Sequence, residues 1–245
     1  MNRLMSFRTH IRAAASLSAL LTMAVPAFGQ QAPSRISWAP SYSGSCIDCS
    51  LQGRNMSGWN ISKANYPGAD LTAAKLRGVH AHDANFNNVQ AAGADFRLSD
   101  FTDSSFEGAV LIGASLQGTS FNGSKMEGVI LTGAMLDNGH YIGTNLTGAQ
   151  LQSSIAHGAD FSAASLAHAD LAGADLTGAV FDNSILTDTD LAGANITRAS
   201  FRDARLDGAS LEAVIGVEFA NFEGACGSET TQLPLGLELP ACDAP

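Results

Sequence analysis

His80, His82 and Asp83, with Asp100 further along, would bring two imidazoles and two carboxylates together if the chain returned on itself every twenty residues. Such a donor set holds zinc or another divalent cation when it converges. No third histidine lies near it, and Ala81 and Ala91 leave the stretch short of large apolar side chains, so solvated outward side chains are the competing reading. His140, His157 and His168 are scattered and read as surface residues. Asp170 and Asp190 share the same twenty-residue spacing, and stacked carboxylates suggest calcium. Aspartate is what this sequence ordinarily places at that position, however, so both are read as solvated.

Cys46, Cys49, Cys226 and Cys242 lie at the two ends of the region that follows the leader. The CxxC of Cys46 and Cys49 is compatible with half a zinc site or a thioredoxin-type pair. Zinc needs a second pair close by, and the redox reading needs a βαβ context that is absent. An even cysteine count in an oxidising compartment favours structural disulfides. Connectivity stays open, although Cys226 to Cys242 would close a loop over Q-L-P-L-G-L-E-L-P. There is no GxSxG, no cysteine partnered by a histidine, no Walker motif and no G-x-G-x-x-G opening a helix. A regular repeat without loops offers no concavity for acid and base to meet, so the expectation is no enzyme, no cofactor and no resident metal.

What would position any of these groups is a period of five. From Tyr66 to Leu211 every fifth residue forms a series of thirty centres, of which 27 are Leu, Ile, Met, Phe or Tyr, the exceptions being Ala81, Ala91 and Ala156. Two places earlier, from Ala69 to Ala209, the residue is always Ala, Ser, Thr, Val or Gly. A helix repeats its apolar face every 3.6 residues and a half-buried strand every 2, so neither accounts for the pattern. A second period sits above the first: Phe101, Phe121, Tyr141, Phe161, Phe181 and Phe201 recur every twentieth position. Four fives per turn would stack these rings directly.

The motif A-[DN]-[LF]-x-x, as in A-D-L-A-G, A-D-L-T-G and A-N-I-T-R, resembles the pentapeptide-repeat family over roughly residues 46 to 222. The resemblance implies an all-β fold, a right-handed quadrilateral β-helix with centre and small residue both pointing inward. On that reading the chain is a single domain of about nine coils. Asp or Asn before the centre faces outward, and Gly or another small residue turns the corner. One residue is inserted after Leu211, and removing it returns Phe222 to the aromatic column.

The flanks complete the organisation. Residues 1–29 read as a secretory signal: Arg3, Arg8 and Arg12, an apolar run from Ala13 to Val25, then small residues at Ala27 and Gly29 where cleavage is expected. The run is shorter than the roughly 20 residues a membrane span needs. The arginines are not adjacent, which argues against a twin-arginine signal, and no cysteine follows to take a lipid. Residues 30–45 form a Pro/Ser-rich lead-in expected to settle on the first coil through Trp38 or Tyr42. Arg54 and Trp59 depart from the small-residue rule as a lid would. Residues 46–224 are the repeat, and 225–245 a cap whose Leu233, Leu235, Leu237 and Leu239 alternate as if one face covers the last coil. Removing the leader takes the formal charge from −10 to −13.

Apolar residues stand where Asp or Asn is usual at Val110, Ile130, Met135 and Ile155, flanked by Ile112, with a smaller spot at Val180 and Ile185. These are the candidate partner-binding residues. The expected role is a non-catalytic exported scaffold or protein-binding module, periplasmic or extracellular, with an unidentified protein or cell-envelope partner, or a second copy. No nucleic-acid partner is expected. The family resemblance implies one alternative, since some members imitate DNA and protect gyrase; the leader, the cysteines and the absence of projecting loops weigh against it. Divalent-metal binding at His80 is the other.

Overall fold

Large side chains spaced by five can all be buried only if the backbone bends after each one, and every repeat bends in the same way. In Leu111 to Ala114 the amide of Ala114 donates to the carbonyl of Leu111 at 3.0 Å, closing a four-residue turn. The third residue of such a turn has positive φ, as at Gly113 (φ 61°). That is the type II signature, which also favours proline one place earlier, where Pro67 sits before Gly68. The computed structural model describes residues 44–243; the signal segment 1–29, Trp38 and Tyr42 lie outside them.

Between turns the chain pairs with its neighbouring coils. Parallel bridges join residues twenty apart from Ser45–Asn65 to Asn195–Ile215 without a slip. The amide of Leu111 donates up to Ile130 at 2.7 Å, and that of Ile130 donates down to Ala109 at 2.9 Å. The backbone groups of each short side are thereby satisfied by the coils on either side.

The interior is apolar and continuous. Every centre from Leu71 to Leu211 is fully buried, the three alanine centres included, and the small residues two places earlier are buried with them. The aromatic column stacks from Phe101 to Phe222 with ring centroids 4.8–5.6 Å apart and planes 3–13° from parallel. A second stack, Tyr66–Phe86–Phe106, runs beside its lower end, and Phe101 meets Phe106 edge-on at 5.1 Å. Where the small residue is Ser or Thr its hydroxyl is mostly aimed at a main-chain carbonyl of the coil below, as in Thr119 to Phe96 (2.8 Å) and Thr144 to Phe121 (2.7 Å), whereas Ser184 donates within its own turn to Phe181 (2.7 Å). Ser154 lacks such a partner, and so does the Tyr141 hydroxyl. Tyr141 fits only because its small position is Gly139, where a Cβ would lie 2.7 Å from the ring.

Three expectations are corrected. The corner position is not reserved for small residues: Lys63, Leu98, His168 and Arg198 all hold φ near +60°. Their side chains leave the turn toward solvent, as the 60 % exposure of Leu98 shows, at a cost of about 1–2 kcal/mol each for a left-handed L-residue. Asp and Asn before the centre do more than face water. Their Oδ1 accepts the amide two residues on, as in Asp170 to Ala172 (2.9 Å) and Asp190 to Ala192 (2.8 Å), so each caps its own turn. The leucines of the cap do not share one face. Leu233, Leu237 and Leu239 pack on the core, but Leu235 is fully exposed because the chain turns at Gly236 (φ 88°).

The insertion after Leu211 is absorbed by one turn of 3-10 helix, Val217–Phe219. Pairing then resumes one residue out of step, Ser200 with Asn221 and Arg205 with Cys226. Disulfides join Cys46 to Cys49 and Cys226 to Cys242. Cys46 and Cys49 occupy a centre and the next small position, both inward and nearly buried. Trp59, also at a small position, is partly buried against the same core.

Candidate functional site

Because outward residues stack every twenty positions, each face of the solenoid is a set of vertical columns, and a functional surface is a run within them. The column before the centre places Val110 under Ile130, and the corresponding column of the next face places Met135 under Ile155. Val110, Ile130 and Met135 are half-buried, whereas Ile155 and Ile112 are exposed at 39 % and 47 %. Their exposed atoms have no hydrogen-bonding role, so the strip offers water only apolar surface on a rigid backing. The second spot contains Ile185, 44 % exposed, and half-buried Val180. Other exposed apolar residues include Leu98 at a corner, Ile142 after a centre and Phe219 beside the insertion, while Ile215 lies in the Met135–Ile155 column, three rungs on through Asp175 and Asn195. Ile142 and Leu98 were visible as apolar residues at outward positions, and only the restriction to one column hid them.

Charged groups are organised between coils by an oblique register. A residue after a centre reaches the residue before the next coil's centre, eighteen positions on. His82 thus meets Asp100, Nε2 to Oδ2 at 3.1 Å. His80 is bridged through its backbone to Asp100, yet among the described residues no three His, Cys, Asp or Glu side chains gather as a metal site. Asp170 accepts the Gln152 side-chain amide at 2.6 Å and Asp190 caps its own turn, so each carboxylate has a protein donor in place of a cation. The most enclosed ion pair is Asp182, which accepts Arg202 through Nε at 2.9 Å and Nη2 at 2.5 Å, and Ser200 Oγ at 2.5 Å. Partial burial pulls the other way, but these donors hold the Asp182 carboxyl below the usual range.

His157 has two partners. Its Nδ1 lies 2.8 Å from Asp137 Oδ1 on the coil below, and its Nε2 lies 3.0 Å from Asp175 Oδ2 on the coil above. The bond to Asp175 is the main cause that raises its pKa, with the charge of Asp137 adding to it. Thr177 donates to Asp175 Oδ1 at 2.6 Å, and the Asn195 amide follows at 3.2 Å. A hollow of about 200 Å³ lies under the cap, lined by Ser228, Glu229, Thr231, Leu233 and Leu239 among others. It presents one carboxylate and neither histidine nor cysteine, so no acid–base pair converges there.

The geometry agrees with the sequence families that share it. The family described as Pentapeptide repeats (8 copies) matches residues 68–103, 104–138, 144–183 and 174–212. The chain belongs to the pentapeptide-repeat family. No curated protein matches it. Among solved structures it is similar to HetL, a pentapeptide-repeat protein involved in heterocyst differentiation regulation from the cyanobacterium Nostoc sp. strain PCC 7120. The identity is 21 %, over 77 % of this chain and 91 % of that one, with a TM-score of 0.36. It is also similar to QnrB1, a plasmid-mediated fluoroquinolone resistance protein, at 15 % identity over 76 % and 91 % with a TM-score of 0.46. Rfr23 from the cyanobacterium Cyanothece 51142 matches at 20 % over 78 % and 91 %, with a TM-score of 0.18. The repeats of this pentapeptide-repeat protein pair coil to coil through parallel bridges, and among its described residues no helix is long and apolar enough to cross a membrane.

Proposed function

We propose that this protein is an exported, non-catalytic scaffold that binds another protein, or a second copy of itself, through the apolar strip on its middle coils. The observation that carries the reading is the run of Val110, Ile130, Met135 and Ile155 at the outward position before a centre, where Asp, Asn or Ser is the rule, flanked by Ile112. Isolated apolar residues on a surface need no explanation, but contiguous ones backed by a stiff wall mark contact sites. In the proposed organisation, residues 1–29 are the leader and 30–45 the lead-in. Residues 46–224 form a single solenoid of about nine coils, and 225–245 cap it. The destination is the periplasm or the cell exterior, which suits the two disulfides.

Two experiments test the two halves separately. Ile130→Asp combined with Met135→Asp is expected to abolish self-association, or retention of an envelope component, that the unaltered protein shows by size-exclusion chromatography. Identical elution and retention for both forms would remove the strip as a contact site. N-terminal sequencing of the protein from cells is expected to begin at Phe28 or Gln30; a protein still starting at Met1 would contradict export.

A further inference from the structure

We propose that His157 is a pH-operated clasp, binding three successive coils together when its imidazole carries both protons and releasing one of them when it does not. Both ring nitrogens face carboxylates, Asp137 at 2.8 Å and Asp175 at 3.0 Å. An imidazolium donates to both at once. A neutral ring has one N–H and one lone pair, so whichever tautomer forms, one carboxylate then faces a lone pair and is repelled. Asp175 does not become a donor instead, because the Thr177 hydroxyl and amide, working against its partial burial, favour its ionised form.

Asp175 from above and Asp137 from below are the charged groups that act most strongly on His157, and its column continues through uncharged Gln117 and Thr177.

The clasp sits beside a repeat with a small centre and an unpartnered buried hydroxyl. Ala156, directly before His157, is one of the three centres without a large side chain. Ser154, the small residue of the same repeat, has a buried hydroxyl without a partner. Tyr141, in the coil beneath, stacks on Phe121 and Phe161 but carries a second buried hydroxyl without a partner. Side-chain ties between coils are therefore fewer at this repeat, while its backbone bonds persist, as from the Ala156 amide to the Asp175 carbonyl at 2.8 Å, and an external tie adds directly to local cohesion. His168 and Asp188 repeat the motif weakly, at 3.6 Å with both side chains more than half exposed.

The sign follows from proton linkage. A histidine whose folded pKa is raised stabilises fully below its unfolded value, near 6.5, and loses that contribution as pH climbs through the folded value. Amide exchange of the mature protein, corrected for the intrinsic pH dependence, is the direct readout, together with an NMR titration of the His157 ring. Opening of residues 150–160 is expected to increase roughly two-fold or more between pH 6 and pH 8.5, and to be independent of pH in His157→Gln. Asp137→Asn leaves one carboxylate and is expected to lower the His157 midpoint, which keeps the test available should His157→Gln not fold. A ring midpoint at or below 6.5, or a wild-type opening that does not change with pH, would overturn the clasp. These readouts do not depend on any partner and leave the scaffold reading untouched.

Discussion

Replacing Phe161 by alanine is expected to destabilise the solenoid by about 3–5 kcal/mol, the usual cost of emptying a buried aromatic site. Phe161 is wholly buried and stacks on Tyr141 at 4.8 Å below and on Phe181 at 5.0 Å above. A coil cannot slide to fill the space, because its amides are bonded to both neighbours within a fixed rung height. The loss should be concentrated in the coils that Phe161 joins, since a solenoid's stability is a sum of units and nearest-neighbour interfaces. Native-state hydrogen exchange, read coil by coil against urea, would show residues 141–181 opening first. The same column holds a change of opposite sign. Tyr141→Phe removes a buried hydroxyl that has no acceptor and is expected to stabilise by about 1 kcal/mol.

The second large effect is at the cap. Changing Cys226 and Cys242 to serine is expected to cost about 3 kcal/mol, because the bridge closes a loop sixteen residues long in sequence separation. Leu233, Leu237 and Leu239 lie within that loop and cover the end of the core, so the variant should also associate end to end as the last pairing edge is exposed. Cys46–Cys49 spans a separation of only three, and its loss should cost less, about 2 kcal/mol on the same entropic account. Thermal melts of the two double variants, with the unaltered protein in reductant as the comparison, would rank them. Equal losses would show that loop entropy is not what the C-terminal bridge supplies.

The repeat frame was legible because burial speaks directly in composition: a large residue at every fifth place admits few other folds. The return of Phe222 to the aromatic column was readable for the same reason, and the observed stacking on Phe201 at 5.0 Å and 3° agrees. The shorter stack of Tyr66, Phe86 and Phe106 carried the identical twenty-residue signal and was overlooked beside the longer one. Hydrogen-bonded roles were harder to see. Why Asp170 or Asn145 precedes a centre depends on the direction of the next turn's amides, which the period alone does not give. From the sequence His157 reads as a plain surface residue, because its partner Asp175 lies eighteen positions away, in a column defined by the oblique path between coils. Leu235 misled because alternation describes an extended segment, and Gly236 bends this one.

Distances along one outward column test the account most directly. Spin labels at Gln90 and Asp190, joined rung by rung through Val110, Ile130, Gln150 and Asp170, are expected about 24 Å apart, five coils at the usual strand spacing. Moving the second label to Ser210, twenty residues on, should add only about 5 Å. An increase several times larger, or one that differs between successive coils, would show that the turns are not stacked in register and would contradict the fold and every surface assignment built on it.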